Sequence, residues 1–268
     1  MMKRLGLGLV AGVVLGALAA PASADTITAI ELSAYYGGAN GTLNGDWSNE
    51  IGGASIITAP TSGNQNTGIT FTDWSGHYVA VPSASMNSGS NALTINNFSP
   101  IALAAGASVQ SLWNEGWGLT PNSADNNAAV LITFTNSAGD SATYGLQSGQ
   151  TLRDYNNGTF YNTLPGSNTT TALGDVTAQN WWANTGGQRL DEQSFVLPSS
   201  WAGTSLTGFT IDVVGTGDGN GNGSGAAGAA ALSAVNVADP PASVPEPASL
   251  TLLAAGVIGL GAARRRRG

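Results

Sequence analysis

The chain has 268 residues, 42% of them hydrophobic and 9% charged, with 38 glycines, no cysteine and a formal net charge of −8. It is too apolar for a disordered chain, and the lack of cysteine excludes disulfides, thiol catalysis and Cys-ligated zinc together. Lys3, Arg4 and the four arginines Arg264, Arg265, Arg266 and Arg267 hold most of the positive charge at the two ends, so between Asp25 and Glu246 two arginines face sixteen carboxylates, a balance of −14 that excludes nucleic acid as a partner.

In chain order, Lys3 and Arg4 precede an apolar run over 5–20 and the small-residue triplet Ala22-Ser23-Ala24. These are the three parts of a secretory signal peptide, which predicts residues 1–24 as a signal helix. Signal peptidase would read Ala22 and Ala24 and cut before Asp25, the new N-terminus. Export is the first expectation.

From residue 26 onward the text is of strands and turns. Residues 26–36 alternate loosely, and 55–58, 68–72, 78–81 and 92–96 are short β-branched or aromatic runs separated by Gly, Ser and Asn. Residues 130–135 and 141–146, joined by Asn136-Ser137-Ala138-Gly139-Asp140, read as a hairpin with a longer turn. Residues 193–197, 206–214 and 229–237 supply closing strands. No sustained helical period occurs between the two ends. The expected fold is all-β: a single jelly-roll or β-sandwich ectodomain over 25–238, flanked by the signal helix and a C-terminal transmembrane helix. Residues 189–198, 206–212 and 230–237 together resemble the last strands of galactose-binding-like jelly rolls of exported bacterial proteins.

The chemistry carried by this middle region is sparse. His77 is the only histidine and no G-x-S-x-G elbow accompanies it, so a strand-end role is expected rather than a triad. Asp154 beside Arg153 and Asp191 beside Arg189 are expected to be surface ion pairs or turn residues. Asp218, Asn220 and Asn222 copy the first half of a Ca²⁺ loop, but Ala229 stands where a bidentate Glu belongs; the site is a weak Ca²⁺ candidate, and no other cofactor is expected. Trp181-Trp182 is a candidate glycan platform, because neighbours on a strand face opposite sides and one indole could stack on a sugar. The N-x-S/T sequons arise easily in a chain this rich in Asn, Ser and Thr. No regular threonine array of the kind that adsorbs to ice stands out along the sequence.

Residues 239–244 form a Pro-rich spacer. Pro245-Glu246-Pro247, an apolar stretch over 248–263 and the basic cluster Arg264, Arg265, Arg266 and Arg267 come next. As a helix the stretch rises about 24 Å, a little short of the ~30 Å hydrocarbon core, and the arginines snorkel and hold their end in the cytoplasm. Motif, helix and basic cluster in this order resemble the PEP-CTERM sorting signal of Gram-negative bacteria, over residues 245–268. The resemblance implies that Pro245, Glu246 and Pro247 are recognised by a membrane-embedded exosortase, which hands the protein to the cell envelope, cell surface or exopolysaccharide matrix. The prolines around Glu246 forbid helix there and leave the extended segment that a protease-like site reads. The ectodomain is then expected to be structural or adhesive and not an enzyme. A carbohydrate-binding module with polysaccharide as partner is the first alternative, and a carboxylate-dependent glycoside hydrolase is the second.

Overall fold

The computed structural model describes residues 25–36, 43–46, 69–83, 91–116, 119–120, 122–148, 150–153, 167–168, 174, 176–183, 189–217 and 228–240. Their strands, in chain order, are β1 (Thr26–Ile30), β2 (Leu43–Asp46), β3 (His77–Pro82), β4 (Ala92–Ile95), β5 (Ile101–Ala102), β6 (Ser108–Gly116), β7 (Leu119–Thr120) and β8 (Val130–Asn136). After these come β9 (Ser141–Leu146), β10 (Ser167–Asn168), β11 (Val176–Ala183), β12 (Arg189–Val196), β13 (Ser205–Val213), β14 (Thr216–Gly217) and β15 (Ala229–Asp239). The only helical pieces among the described residues are three-residue 3-10 turns.

Two antiparallel sheets carry the fold. The larger runs β10-β11-β12-β6-β15-β3-β2, with β1 also paired to β15; the smaller runs β4-β13-β8-β9, with β5 on β13. Alternation explains the smaller sheet. In β8, Val130, Ile132 and Phe134 are buried while Leu131, Thr133 and Thr135 are half-buried, so one face enters the core and the other meets water. The larger sheet is covered on both faces, and β15 shows why: ten of its eleven residues are buried. Its alanines let neighbouring layers approach closely where a larger side chain would clash.

Between the sheets lies the main core. Phe134 stands 5.4 Å from Phe195 and 5.6 Å from Tyr144 and Phe209, measured between ring centroids, in the edge-to-face and tilted geometries aromatic rings prefer. Val79, Val109, Trp113, Leu232 and Val235 from the larger sheet pack against Leu93, Ile132, Ile211 and Val213 from the smaller. Gly174 lies against this core where only hydrogen fits: a Cβ there would run into the Tyr144 ring.

The expected hairpin forms over β8 and β9, and Asn136 builds its turn by accepting the Ala138 and Asp140 amides at 3.0 and 2.9 Å. Gly139 supplies the left-handed residue, at φ +86°. Several elements depart from the sequence reading. β2 and β11 are not among the expected strands, residues 33–35 of the expected run 26–36 form a 3-10 turn, and the run 55–58 lies outside the described residues. Residues 69–72 form no strand, and instead lie as an irregular strap ahead of β3. β6, which joins β12 to β15, is not visible as a strand in the sequence, because its Gln110, Ser111 and Asn114 break the apolar alternation.

Strand register also creates a row that no single segment shows. Thr94, Thr210, Thr133 and Thr143 are successive partners across β4, β13, β8 and β9. They form one line on the outer face of the smaller sheet, a regular threonine array that the sequence did not suggest. Their hydroxyls are paired, 3.1 Å between Thr94 and Thr210 and 2.9 Å between Thr133 and Thr143.

Candidate functional site

Asp191 is not at the surface, contrary to expectation. Arg153 turns inward and grips Asp191 with both Nε, at 2.7 Å, and Nη2. Both residues are buried, Asp191 completely, so this is an interior ion pair and not a surface pair of Arg189 with Asp191. Neighbouring polar residues complete it. Asn180 donates to Asp191 at 3.2 Å, and Asn114 donates to the Arg153 carbonyl at 3.3 Å. Gln193 accepts from the Trp113 amide and donates to the Trp113 and Thr151 carbonyls. Such a network satisfies the desolvated charges on both sides, which a buried pair requires. It fastens residues 151–153 to the larger sheet. Asp154 lies outside the described residues.

His77 is exposed at the start of β3, with its ring 5.4 Å from Tyr36. The Tyr36 hydroxyl accepts from Ser75 at 3.4 Å. Burial, with the nearby charges of Glu31 and Asp73, pushes the Tyr36 hydroxyl above its ordinary range, although the Ser75 hydrogen bond opposes the shift. Burial first and the Glu31 charge second raise the Asp73 carboxyl above the usual carboxylate range. This acidic-aromatic group anchors the far end of the strap.

The outer face of the larger sheet is the most distinctive surface. Trp181 and Trp182 straddle a bulge in β11 opposite Asp191 and Leu190. They gather with Phe71, Tyr78, Leu112, Leu190, Ala229, Ala231 and Ala234 into a second apolar cluster. The exposures are 0% for Trp181 and 4% for Trp182. Neither indole offers a free face, which corrects the expectation of an exposed stacking platform: the bulge turns both rings into packing. The strap is why. The Trp181 Nε1–H donates to the Ile69 carbonyl at 2.9 Å, and Phe71 and Trp74 set their edges on the Trp181 ring, 5.8 and 5.6 Å away. Asn236 on β15 donates to the Thr70 carbonyl at 2.9 Å.

The same face holds polar atoms without partners. Asn236 Oδ1, Gln110 Oε1 and Trp182 Nε1 are buried and make no hydrogen bond. Asn236 and Gln110 are register partners on adjacent strands. On that face, too, Glu192 on β12 accepts from Gln179 at 2.7 Å. Sequence reasoning marked the two tryptophans but missed the amides, because nothing local in the chain says that 110 and 236 meet.

The remaining marked residues lie outside the described ones. They are Asp218, Asn220 and Asn222 of the Ca²⁺ candidate, Ala22 and Ala24 of the cleavage site, Pro245, Glu246 and Pro247 of the sorting motif, and the topology anchor Arg264, Arg265, Arg266 and Arg267. Asp25, the expected new N-terminus, is exposed directly before β1. Among the described residues no group of three His, Cys, Asp or Glu side chains could hold a metal, and no helix is long and apolar enough to cross a membrane.

β15 ends at Asp239, one residue past the expected boundary, and the Asp239 carboxylate accepts the Ala104 amide at 2.9 Å. Beyond it, comparison with known families is decisive. Residues 243–267 match the PEP-CTERM protein-sorting motif. The PEP-CTERM motif indicates exosortase-dependent sorting of an exported, membrane-transiting protein, with an exosortase as its processing partner. No curated protein and no solved structure matches the chain.

Proposed function

We propose that the ectodomain is a structural or adhesive module, delivered to the cell envelope or surrounding matrix by its PEP-CTERM tail, and that it is not an enzyme. The observation that carries the delivery is the sorting motif, which begins within a few residues of the end of β15. In this reading residues 1–24 are removed at Asp25. Residues 248–263 hold the protein in the membrane while Pro245, Glu246 and Pro247 are read, and Arg264, Arg265, Arg266 and Arg267 keep their end cytoplasmic. A jelly-roll arrangement related to galactose-binding-like domains is part of the proposal, supported by the two antiparallel sheets and by β1 closing on β15. The commitment of Asp191 to Arg153 favours a packing role for a carboxylate that a hydrolase would otherwise keep accessible.

Replacing Pro245, Glu246 and Pro247 together by alanine tests the delivery. The variant should stay in the membrane fraction while the wild-type ectodomain reaches the envelope or medium. Identical distribution of the two would mean that the motif does not direct delivery.

A further inference from the structure

We propose that the strap-covered outer face of the larger sheet binds a neutral saccharide, with Gln110, Asn236 and Trp182 as its hydrogen-bonding residues. This rests on the adhesive reading above and names the class of ligand. A buried polar atom without a partner carries a desolvation penalty of about 1–3 kcal/mol, and Gln110 Oε1, Asn236 Oδ1 and Trp182 Nε1 are three such atoms on one face. Asn236 is fully buried and Trp182 is 4% exposed, so bulk water does not answer either.

The chemistry of the three atoms selects the ligand. Two are amide oxygens that accept; the third is an indole N–H that donates. The Asn236 amide cannot simply turn over, because its Nδ2 is held by the Thr70 carbonyl. A metal cation would serve the two oxygens and leave the distant indole N–H unanswered, and an anion would do the reverse. A hydroxyl group donates and accepts at once, so a polyhydroxylated, uncharged molecule answers all three. The Glu192 carboxylate on the same face disfavours acidic sugars further. Trp182 contributes through its N–H and not as an open ring face.

Spacing gives the size. Trp182 pairs with Leu190, and Gln110 pairs with Ser194, four residues further along β12. At ~3.4 Å per residue this is about 14 Å along the strands, and with β12 lying between β11 and β6 a further ~10 Å across them, so the separation is about 17 Å, more than one sugar ring and suited to a short linear oligosaccharide.

Access is through the strap. Residues 69–76 belong to no strand, and side chains hold them on the face: Trp181 to Ile69, Asn236 to Thr70, and Phe71 and Trp74 against Trp181. A segment fixed by side chains opens locally at far lower cost than a strand in a ladder. The sugar then takes the place of Phe71 and Trp74 on the sheet.

The test uses the full mature protein on an array of neutral and acidic oligosaccharides, followed by calorimetry with whichever neutral member binds. Wild type should bind a neutral member, and Phe71→Ala, which loosens the strap, should bind it several-fold more tightly. Gln110→Met, which leaves the Asn236–Thr70 hydrogen bond in place, should weaken binding several-fold while the melting temperature stays level or rises, because an unpartnered oxygen has been replaced by an apolar group of similar size. A fall in melting temperature without change in affinity would mean that the Gln110 amide only serves the fold, and would overturn the proposal. So would the absence of any neutral hit for both wild type and Phe71→Ala. Neither result touches delivery, which is read from where the protein is found in the cell.

Discussion

The outer faces of the two sheets end in opposite states. On the smaller sheet, Thr94, Thr210, Thr133 and Thr143 line up and satisfy one another in pairs. On the larger sheet, Gln110, Asn236 and Trp182 keep buried polar atoms with hydrogen-bonding capacity unused, and a strap bonded to Trp181 and Asn236 lies on the face. One face is complete as it stands, whereas the other is finished only by something added. The difference teaches that polarity alone does not mark a binding surface; unmet hydrogen bonding beneath a removable cover does.

The comparison can be broken from inside, where the two sheets share one core. The largest expected effect is Asp191→Asn, which removes the Asp191 charge from the buried Arg153 guanidinium. Breaking such a pair costs about 3–5 kcal/mol, and chemical denaturation should show that loss. A loss below about 1 kcal/mol, the range of exposed pairs, would mean that Arg153 swings out to water and that the network does not fasten residues 151–153.

Gly174→Ala comes next. Its methyl group would meet the Tyr144 ring, and overpacking of this kind costs about 1–3 kcal/mol. Pairing the change with Tyr144→Leu should recover much of the loss in a double-mutant cycle. Strict additivity would place the strain elsewhere.

The strap gives a pH dependence whose sign is fixed by Asp73. Its folded carboxyl is raised by burial and by Glu31, so the fold opposes its ionisation. The stabilisation from the protonated form is therefore complete below the ordinary carboxylate range and is lost as pH rises through the raised folded value. Tyr36 and His77 face the same segment. Hydrogen exchange corrected for intrinsic rates should show the amides of residues 70–76 better protected at about pH 4 than at neutrality. Asp73→Asn should flatten the difference; an unchanged profile in that variant would acquit Asp73.

The smallest effect belongs to the finished face. Thr210→Val keeps shape and removes one hydroxyl from the row, for a cost of about 0.2–1 kcal/mol. No change in saccharide binding should accompany it, which separates the two faces functionally as well as structurally.

Much of the fold was legible wherever alternation was clean. β8, β9 and β13 read directly from their apolar period, and Asn136 with Gly139 announced the turn. β6 was illegible because its inward and outward positions both carry polar residues, and part of its hydrogen bonding is answered only from far away, the Trp113 amide by Gln193 and the Asn114 side chain by the Arg153 carbonyl. The same reason hid the Arg153–Asp191 pair: each residue has a nearer opposite charge in sequence, and only tertiary packing prefers the partner 38 positions away. The outer-face site was half legible. Two adjacent tryptophans drew notice, but their burial depends on a strap more than a hundred residues earlier. The threonine row was invisible because four strands each give it one member.

The sorting tail stands apart from all of this, since its information is local: two prolines, a carboxylate, an apolar stretch and a run of arginines. Intact-mass measurement of the protein recovered from the cell envelope asks most directly whether that local signal is obeyed. The expected chain starts at Asp25 and lacks Arg264, Arg265, Arg266 and Arg267. A wild-type protein recovered with its four arginines still attached would contradict exosortase processing.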